Sequence, residues 1–424
     1  MSSVVRSIRR RKQRRLGRIE IVPRESYQEL ELNSRVELIR SLIPLGLMHV
    51  QELLEEEVGE LAGARYERKD GGSRGTRHGS NPGSVQLAGQ RLAIRVPRVR
   101  GETGELALKS YGQLHGGGEL DEGVLRRVLY GISCRDYEAA AQAVPGAIGL
   151  SSSTVSRQFI RASAARLQAL QERDLADEDI VVIFLDGKAF AEDMLVVALG
   201  VTLSGEKRFL GFVETGTENE KVLTPFLRSL LERGLDISRG VLVVMDGGKG
   251  LRAAVRNGFE RLALVQRCQW HKRENVVQHL PVKEQPHWRR RLQSAYHRAT
   301  YAKARKALLS LRKDLAERNE SAASSLDEGL EETLTLHRLG VFEQLGASLK
   351  TTNCLESVNA VVEQRCAKVD RWRNSNQRRR WLASTLLDIE PRLRRVKGHR
   401  YLPMLRAALQ RELGLSGDEV QKAA

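Results

Sequence analysis

Several features are scarce in this chain of 424 residues, and each scarcity excludes a class of protein. Aromatic residues form 5% of the sequence, and no apolar run approaches the roughly 18 residues of a membrane-spanning helix. The N-terminal residues lack the apolar core of a signal peptide, so the cytoplasm is the expected compartment. A basic membrane-surface protein would need bulky aromatic residues opposite the charges of an amphipathic helix, and the low aromatic content argues against one.

Cysteine is also scarce. Cys134, Cys268, Cys354 and Cys366 lie far apart, and without a secretion signal we expect reduced thiols rather than disulfides. Cys268 and His271 form a C-x-x-H element, but neither of the later cysteines supplies a second ligand pair, which disfavours structural zinc. No phosphate-cradling glycine loop of the GxxxxGK[ST] type is present, so an ATP-driven activity is not indicated.

Positive charge is what the chain has in excess. Lys and Arg total 70 against 53 Asp and Glu, which gives a formal charge of +17 and an isoelectric point near 10.0. Such a balance favours a polyanionic partner, and nucleic acid is the leading candidate. Residues 1–20 are especially basic, and they are either a solvated tail or an arm that lies on DNA phosphates.

The N-terminal part predicts helices and a small sheet. Apolar residues over 35–64 recur at three- and four-residue steps, which indicates one amphipathic helix, or two helices broken near Pro44. Residues 68–82, rich in Gly, Arg and Ser, are interpreted as a linker. Alternating apolar and polar residues over 84–98, around Ala88 and Gly89, predict a β-hairpin.

Residues 121–166 predict a compact helical unit of the helix-turn-helix kind. Its third helix is expected to start at Ser151 to Ser153, with Val155, Phe159 and Ala162 packed inward. The side chains expected to contact DNA are Thr154, Ser156, Arg157 and Arg161. A plain three-helix structural bundle is the alternative.

Two buried strands in the central region each end in an aspartate. The run 180–186 ends at Asp186 and the run 240–246 ends at Asp246, while 194–202 and 208–213 add a meander to the first strand. Each aspartate could simply close its strand through an Asx-type turn. Their shared position at strand ends of one sheet indicates a common site instead, where divalent cations would offset the repulsion between them.

A metal pair needs a third carboxylate, and Glu356 in the stretch 351–359 is the candidate. Asn353 and Glu356 also have the spacing of an N-capping arrangement, which would turn the carboxylate away from a metal. The functional interpretation therefore predicts that Glu356 points across to the sheet. Asn359 and Glu363 lie on the same helical face as Glu356.

These residues resemble the Mutator-type insertion-sequence transposases. The resemblance rests on Asp186, on Asp246 in MDGGKGL, on CQWHKREN at 268–275, and on Glu356 in TTNCLESVN. It implies an α/β, ribonuclease H-like mixed-sheet catalytic core interrupted by an all-helical insertion and preceded by helical DNA-binding domains. It also implies an Asp-Asp-Glu triad of Asp186, Asp246 and Glu356 that binds two Mg²⁺ or Mn²⁺ ions, with His271 orienting the scissile strand.

The implied function is metal-dependent cleavage of DNA at the terminal repeats of an insertion sequence, followed by strand transfer into target DNA. We expect a homodimer on double-stranded DNA, associated with the nucleoid and with no membrane. Further DNA contacts are expected from Lys272, Arg273, Arg289, Arg290, Arg371 and Trp372. Two alternatives stay open: a nuclease or resolvase of the same fold that never joins strands, and a DNA-binding regulator whose carboxylates are structural.

The expected domain order follows from these segments. Residues 1–20 form a basic arm, 21–115 a helical region with a hairpin, 116–175 the helix-turn-helix-like domain, 176–272 the first part of the core, 273–349 the helical insertion, 350–390 the second part of the core, and 391–424 a helical tail.

Overall fold

The computed structural model describes most of the chain as two compact units. The described residues are 49–65, 75–87, 90–115, 118–134, 151–190, 193–217, 219–369 and 371–415, so the basic arm lies outside them. The first unit comprises residues 1–124 and 132–156, and the second comprises 125–131 and 157–424. Within the described ranges, none of the helices has the length and apolar character needed to cross a membrane.

The first unit contains a helix over residues 49–62 and a three-stranded antiparallel sheet. Strand β1 (Thr76–Leu87) pairs with β2 (Gln90–Gly101), which pairs with β3 (Gly104–Leu106), so the predicted hairpin is confirmed. The linker interpretation of 68–82 is wrong from Thr76 onward. Backbone pairing with the long strand β2 continues through this polar stretch, with a register shift between Arg77 and Ser80.

Three helices follow this sheet along the chain: α1 (Lys109–His115), α2 (Gly118–Leu129) and α3 (Ser152–Gln171). Helix α3 begins within the interval expected from the sequence. Val155 and Phe159 are buried while Arg157 and Arg161 are exposed, as predicted for the two faces of this helix. Residues 135–150 lie outside the described part, so the helix-turn-helix arrangement stays a prediction.

The second unit is built on a mixed five-stranded sheet. Its strands are β4 (Ile180–Phe190), β5 (Asp193–Thr202), β6 (Lys207–Thr215), β7 (Val241–Met245) and β8 (Ala263–Arg267), in the spatial order β6-β5-β4-β7-β8. The first three strands form the predicted antiparallel meander, and β7 and β8 run parallel to β4. Helices α4 (Glu220–Glu232) and α5 (Lys249–Phe259) pack apolar faces on the sheet. The predicted mixed α/β class is confirmed.

Strand β4 is longer than the sequence indicated. It continues past Asp186 to Phe190 because β5 pairs with it over that whole length, ending with Phe190 opposite Asp193. Its pairing with β7 stops at Leu185. Asp186 therefore lies within a strand, at the point where that strand loses one of its two neighbours.

A helical stretch connects β8 to residue 352. Its helices are α6 (Gln269–Val277), α7 (Gln285–Tyr296), α8 (Tyr301–Ala316), α9 (Glu320–Asp327), α10 (Leu330–Thr333), α11 (Thr335–Arg338) and α12 (Phe342–Leu349). Most of them share a hydrophobic core that includes Trp288, Leu292 and Leu308. The Glu-rich sequence of 326–339 predicts a single helix, and this prediction is wrong: Gly329 at φ 70° interrupts the helix, and Thr335 donates to the carbonyl of Val265.

The chain then returns to the sheet. Helix α13 (Asn353–Cys366) contacts β4, and α14 (Ser375–Ile389) follows it. Helix α15 (Leu402–Leu413) contacts β4 and β7. Its buried Arg406 donates to Asp179 Oδ1 at 2.6 Å and to the carbonyl of Ile180 at 2.9 Å, which ties this helix to the first residues of β4.

Candidate active site

Asp186 and Asp246 occupy equivalent positions on neighbouring strands. They directly follow Leu185 and Met245, which are partners in the parallel pairing of β4 and β7. Hydrogen-bonded strands lie about 4.8 Å apart, so the backbone atoms of Asp186 and Asp246 are adjacent. Asp186 is 6% exposed. The two aspartates therefore lie at one edge of the sheet, as the sequence predicted.

Asp246 makes the Asx-type turn that was considered as its alternative role. Its Oδ1 accepts a hydrogen bond from the backbone N–H of Gly248 at 3.0 Å. Gly247 has φ 100°, and a Cβ at this position would overlap the guanidinium of Arg267. The buried Arg267 also donates to the carbonyl of Glu328 at 2.8 Å. The turn occupies one oxygen of Asp246 and leaves the other for a further ligand.

His271 lies beside both aspartates because α6 starts at their edge of the sheet. The N–H of Cys268 donates to the carbonyl of Met245 at 2.7 Å, and this bond fixes the start of the helix next to Asp246. Burial alone would lower the pKa of His271, but Cys268 and the carboxylates of Asp186 and Asp246 outweigh it and raise the pKa to about 9. His271 is therefore a cation among acidic groups.

Glu356 is directed at the same histidine. Its Oε1 lies 3.8 Å from His271 Nε2. The N-cap of α13 is Thr352, with no side-chain capping bond, so the capping interpretation through Asn353 is wrong. Oε1 of Glu356 is a buried atom without a hydrogen bond in the part of the chain that the structure describes. Helix α13 thus carries a third carboxylate to the histidine that also lies beside Asp186 and Asp246.

The next two turns of α13 attach it to β4. Asn359 is buried and its Nδ2 donates to Asp186 Oδ2 at 3.4 Å. One turn further on, Glu363 forms an ion pair with Lys188 at 2.7 Å. The sequence placed Asn359 and Glu363 on the face of Glu356 but did not reveal their partners. The shared face, at steps of three and four residues, was the signal that could have predicted this contact.

The chemistry of these donors suits a hard divalent cation. Mg²⁺ prefers carboxylate oxygens, which Asp186, Asp246 and Glu356 supply; Oε1 of Glu356 accepts no hydrogen bond from the described residues. Among the described residues, no three His, Cys, Asp or Glu side chains already form a metal-binding group. Burial raises the pKa of Cys354 and of Cys366 to about 12, so these thiols are neutral packing groups.

Lys272 and Arg273, predicted to contact DNA, have other partners in this structure. Lys272 is 0% exposed, its ammonium group donates to the carbonyl of Ser325 and lies 3.7 Å from Glu328, and burial lowers its pKa to about 8. Arg273 is mostly buried and pairs with Glu274 at 2.9 Å. Lys272 therefore stabilises the helical stretch, and it has no exposed atoms with which to contact a phosphate.

The remaining predicted DNA contacts are more accessible. Arg289 is half-exposed and pairs with Glu274 at 2.8 Å, while Arg290 and Arg371 are exposed. Trp372 is half-buried, with its ring centroid 5.5 Å from that of Phe190. The other four, Thr154, Ser156, Arg157 and Arg161, follow one another along the first turns of α3, and the two arginines are exposed.

Trp270 is a residue of this region that the sequence did not single out. It is 41% exposed and contacts His271 edge to face, with the ring centroids 4.8 Å apart. Its position one residue before His271 in CQWH was the available signal.

Comparison with known sequences defines the class of protein. Residues 22–393, most of the chain, match the family described as "Transposase, Mutator family". The protein is therefore a transposase by class, and transposases process DNA. Within that class, the chain belongs to the Mutator family.

Curated relatives agree with this assignment. The chain is 25% identical over 354 residues to the transposase for insertion sequence element IS256 in transposon Tn4001 of Staphylococcus aureus, which covers 80% of this chain and 87% of the relative. It is 27% identical over 365 residues to the transposase for ISRM5 of Rhizobium meliloti, covering 84% and 88%. The transposase for IS6120 of Mycolicibacterium smegmatis is 28% identical over 244 residues, covering 56% and 74%.

Proposed function

We propose that this transposase binds the terminal repeats of an insertion sequence and cleaves and joins DNA with an Asp-Asp-Glu triad of Asp186, Asp246 and Glu356. The observation that carries the proposal is the pairing of β4 with β7. This pairing places Asp186 and Asp246 at adjacent backbone positions, and α13 brings Glu356 to His271, which lies beside both aspartates.

The proposed fold of the catalytic unit is ribonuclease H-like. Support comes from the strand order β6-β5-β4-β7-β8, in which an antiparallel meander is followed by two parallel strands reached through helices. Ligands of open α/β sheets collect beyond the carboxyl ends of parallel strands, which is the edge where both aspartates lie. We interpret α6 to α12 as a helical insertion between the strands and α13.

The proposed cofactor is a pair of Mg²⁺ or Mn²⁺ ions held by the three carboxylates. When bound, such ions supply charge stabilisation at the attacking and leaving oxygens of a phosphoryl transfer. Asp246 would offer the oxygen that its Asx turn leaves over, and Asp186 is kept in place by Asn359. Glu356 would have to leave His271 in order to join them, because the three donors do not yet form one group.

The proposed reaction has two steps that balance without ATP. In the first, a water oxygen forms a bond to the scissile phosphorus, the bond to the 3′ oxygen breaks, and that oxygen takes a proton. In the second, the freed 3′-OH attacks a phosphodiester of the target strand and an equivalent hydroxyl leaves. His271, protonated at neutral pH, is proposed to contact the scissile phosphate and orient the strand.

The proposed partner is double-stranded DNA, and the positive charge of +17 supports it. Exposed basic residues of the helical stretch would contact the phosphate backbone. They are Arg290, Arg298, Lys303, Lys306, Lys313 and Arg318. Handling two ends of one element favours a homodimer on DNA, and a protein that acts on chromosomal DNA in a bacterium would be associated with the nucleoid.

A cleavage and joining assay tests the proposal. The full chain is incubated with Mg²⁺ and duplexes taken from the sequences that flank its coding region. Asp186→Asn, Asp246→Asn and Glu356→Gln should each abolish cleavage while DNA binding persists. Glu317→Gln, an exposed site on the helical stretch, is the matched control and should cleave normally.

The same assay separates the alternatives. Joining of a pre-cleaved end to target DNA supports a transposase, whereas cleavage without any joined product would identify a nuclease or resolvase. If all three carboxylate variants cleaved like the native chain, the triad would be wrong and the carboxylates would be structural.

A further inference from the structure

A cavity of about 280 Å³ opens beside the candidate active site. It lies between the end of β4, the start of β5 and helix α13. Phe190, Trp372, Leu195 and Val362 provide its apolar lining, and Asn359 is its polar neighbour on the Asp186 side. All of these residues belong to the second unit.

The cavity and the carboxylates are joined through one side chain. Asn359 lines the cavity and also donates to Asp186 Oδ2 at 3.4 Å. Anything held in the cavity is therefore one residue away from Asp186. Lys188, two residues beyond Asp186 on β4, lines the same cavity and pairs with Glu363. A phosphate near the carboxylates and a group in the cavity could belong to a single bound molecule.

The walls favour a flat ring. The rings of Phe190 and Trp372 are tilted by 53°, and Trp372 also packs nearly perpendicular to Trp381, with the ring centroids 6.3 Å apart. The volume is slightly below the roughly 300–1,000 Å³ of pockets for drug-sized ligands, so it suits one ring system better than a whole nucleotide. Aromatic side chains bind nucleobases of any sequence by stacking.

We propose that this cavity receives one nucleobase of the substrate DNA, unstacked from the strand whose phosphate lies at Asp186. The inference deepens the proposed function and depends on it, because DNA must be bound at the carboxylates for its base to reach the cavity. The base leaves the duplex and stacks on Trp372, its edge meets the amide of Asn359, and Lys188 lies against the adjoining phosphate. A base drawn out in this way fixes the register of the strand relative to the carboxylates.

Permanganate oxidation of unstacked thymines tests the proposal without needing catalysis. Duplexes of the element's end, each with a thymine at a different position near the cleavage point, are bound by the full-length Asp186→Asn chain. We expect one position to become reactive in the complex and to stay unreactive in free duplex. That position should be the same in the native chain with Ca²⁺ in place of Mg²⁺.

Filling the cavity provides the decisive variant. Ala367 is exposed and lines the cavity at the end of α13, so Ala367→Phe fills it without removing the packing of Trp372. In the Asp186→Asn background it should abolish the thymine reactivity. In the otherwise native chain it should weaken end binding by about 10- to 100-fold, the loss expected when one stacked base is expelled. Ala407→Phe, at an exposed position of α15, should change neither.

Failure of this inference can be told from failure of the proposed function. If the carboxylate variants lose cleavage but no thymine becomes reactive at any position, the triad stands and the base pocket is wrong. Reactivity that persists in Ala367→Phe would also overturn the pocket, since the base would then be held elsewhere, for instance against Trp270. Trp372→Phe should restore most of the reactivity that Trp372→Ala removes, which separates stacking from a general loss of folding.

Discussion

Asn359 donates from Nδ2 to Oδ2 of Asp186 over 3.4 Å, and both side chains are buried. This bond joins helix α13 to strand β4 although 173 positions separate the two residues in sequence. A rotation of α13 would break it and would also displace Glu356, one turn away on the same face. The relative position of the first and third acidic residues therefore depends on a neutral amide.

Replacing Asn359 with alanine should reduce cleavage more than it reduces DNA binding. Groups that orient metal ligands typically contribute about 10- to 100-fold in activity or metal affinity, and we expect a loss in that range. The measurement is the cleavage rate as a function of Mg²⁺ concentration, in which the half-saturation point should rise. Gln364→Ala, an exposed amide on the same helix, is the control. Equal rates for the two variants would show that the amide does not hold Asp186 for the reaction.

Lys272→Met should lower stability and leave the salt dependence of DNA binding unchanged. The substitution removes the donor to the half-buried carbonyl of Ser325, so the cost should be at most the roughly 1–3 kcal/mol of a fully buried acceptor that loses its donor. Arg290→Ala should leave stability unchanged and should alter the salt dependence of DNA binding. One lost phosphate contact reduces the slope of log K against log salt by about 0.9. Chemical denaturation and binding titrations at three salt concentrations make the comparison. A reduced slope for Lys272→Met would instead show that Lys272 contacts DNA phosphates.

Gly247→Ala should destabilise the turn that positions Asp246. At φ 100° a side chain is strained, and its Cβ would overlap Arg267, so a cost of about 1–3 kcal/mol or more is expected. Cleavage should fall with it, because the strand end and the Asx turn shift together. Gly216→Ala, where no atom lies within 4 Å of the added Cβ, is the matched control. Thermal melting of both variants gives the result, and identical melting temperatures would contradict the close approach.

Stability should fall in mild acid partly because of His337. This histidine is 4% exposed, donates through Nε2 to the carbonyl of Tyr296, and stacks on Phe342 with centroids 3.6 Å apart. Burial lowers its pKa from 6.5 to about 4. Between these values the unfolded chain binds the proton and the folded chain does not, so this contribution is complete above about pH 6.5 and is lost progressively towards pH 4.

The loss at pH 5 relative to pH 7.5 amounts to about 2 kcal/mol for this group, at 1.36 kcal/mol per pH unit. His337→Gln should be less stable than the native chain at pH 7.5 and should lose less on acidification. The comparison of the two pH dependences cancels the contribution of the carboxylates. Parallel curves for the two proteins would exclude His337 as the cause.

The sequence predicted the sheet well because its strands are nearly continuous apolar runs. The strand ending at Met245 and the meander both follow from that pattern, as does the placement of two aspartates at one edge. The end of β4 could not be predicted in this way. Whether a strand stops at Asp186 or continues to Phe190 depends on whether β5 still pairs with it. Pairing between strands cannot be inferred from the local pattern of residues.

The long-range contacts of polar residues also could not be predicted from the sequence. Lys272 follows His271 in a basic stretch and was predicted to face DNA, yet the carbonyl of Ser325 and the carboxylate of Glu328 receive it in the interior. A buried lysine whose acceptors lie elsewhere in the chain looks, in sequence, like any surface lysine. Glu356 was predictable as a candidate, but its approach to His271 rather than Asn353 required the position of α6.

The attachment of α15 to the start of β4 has a consequence for the synthesis of the protein. Arg406 binds Asp179 and the carbonyl of Ile180, so the strand that carries Asp186 gains this support only after the ribosome has added residues 402–413 and they have left its exit tunnel. Nascent chains that still lack this helix have an incompletely anchored β4. Until this helix has emerged, the first residues of β4 therefore lack the ion pair and the hydrogen bond that Arg406 supplies.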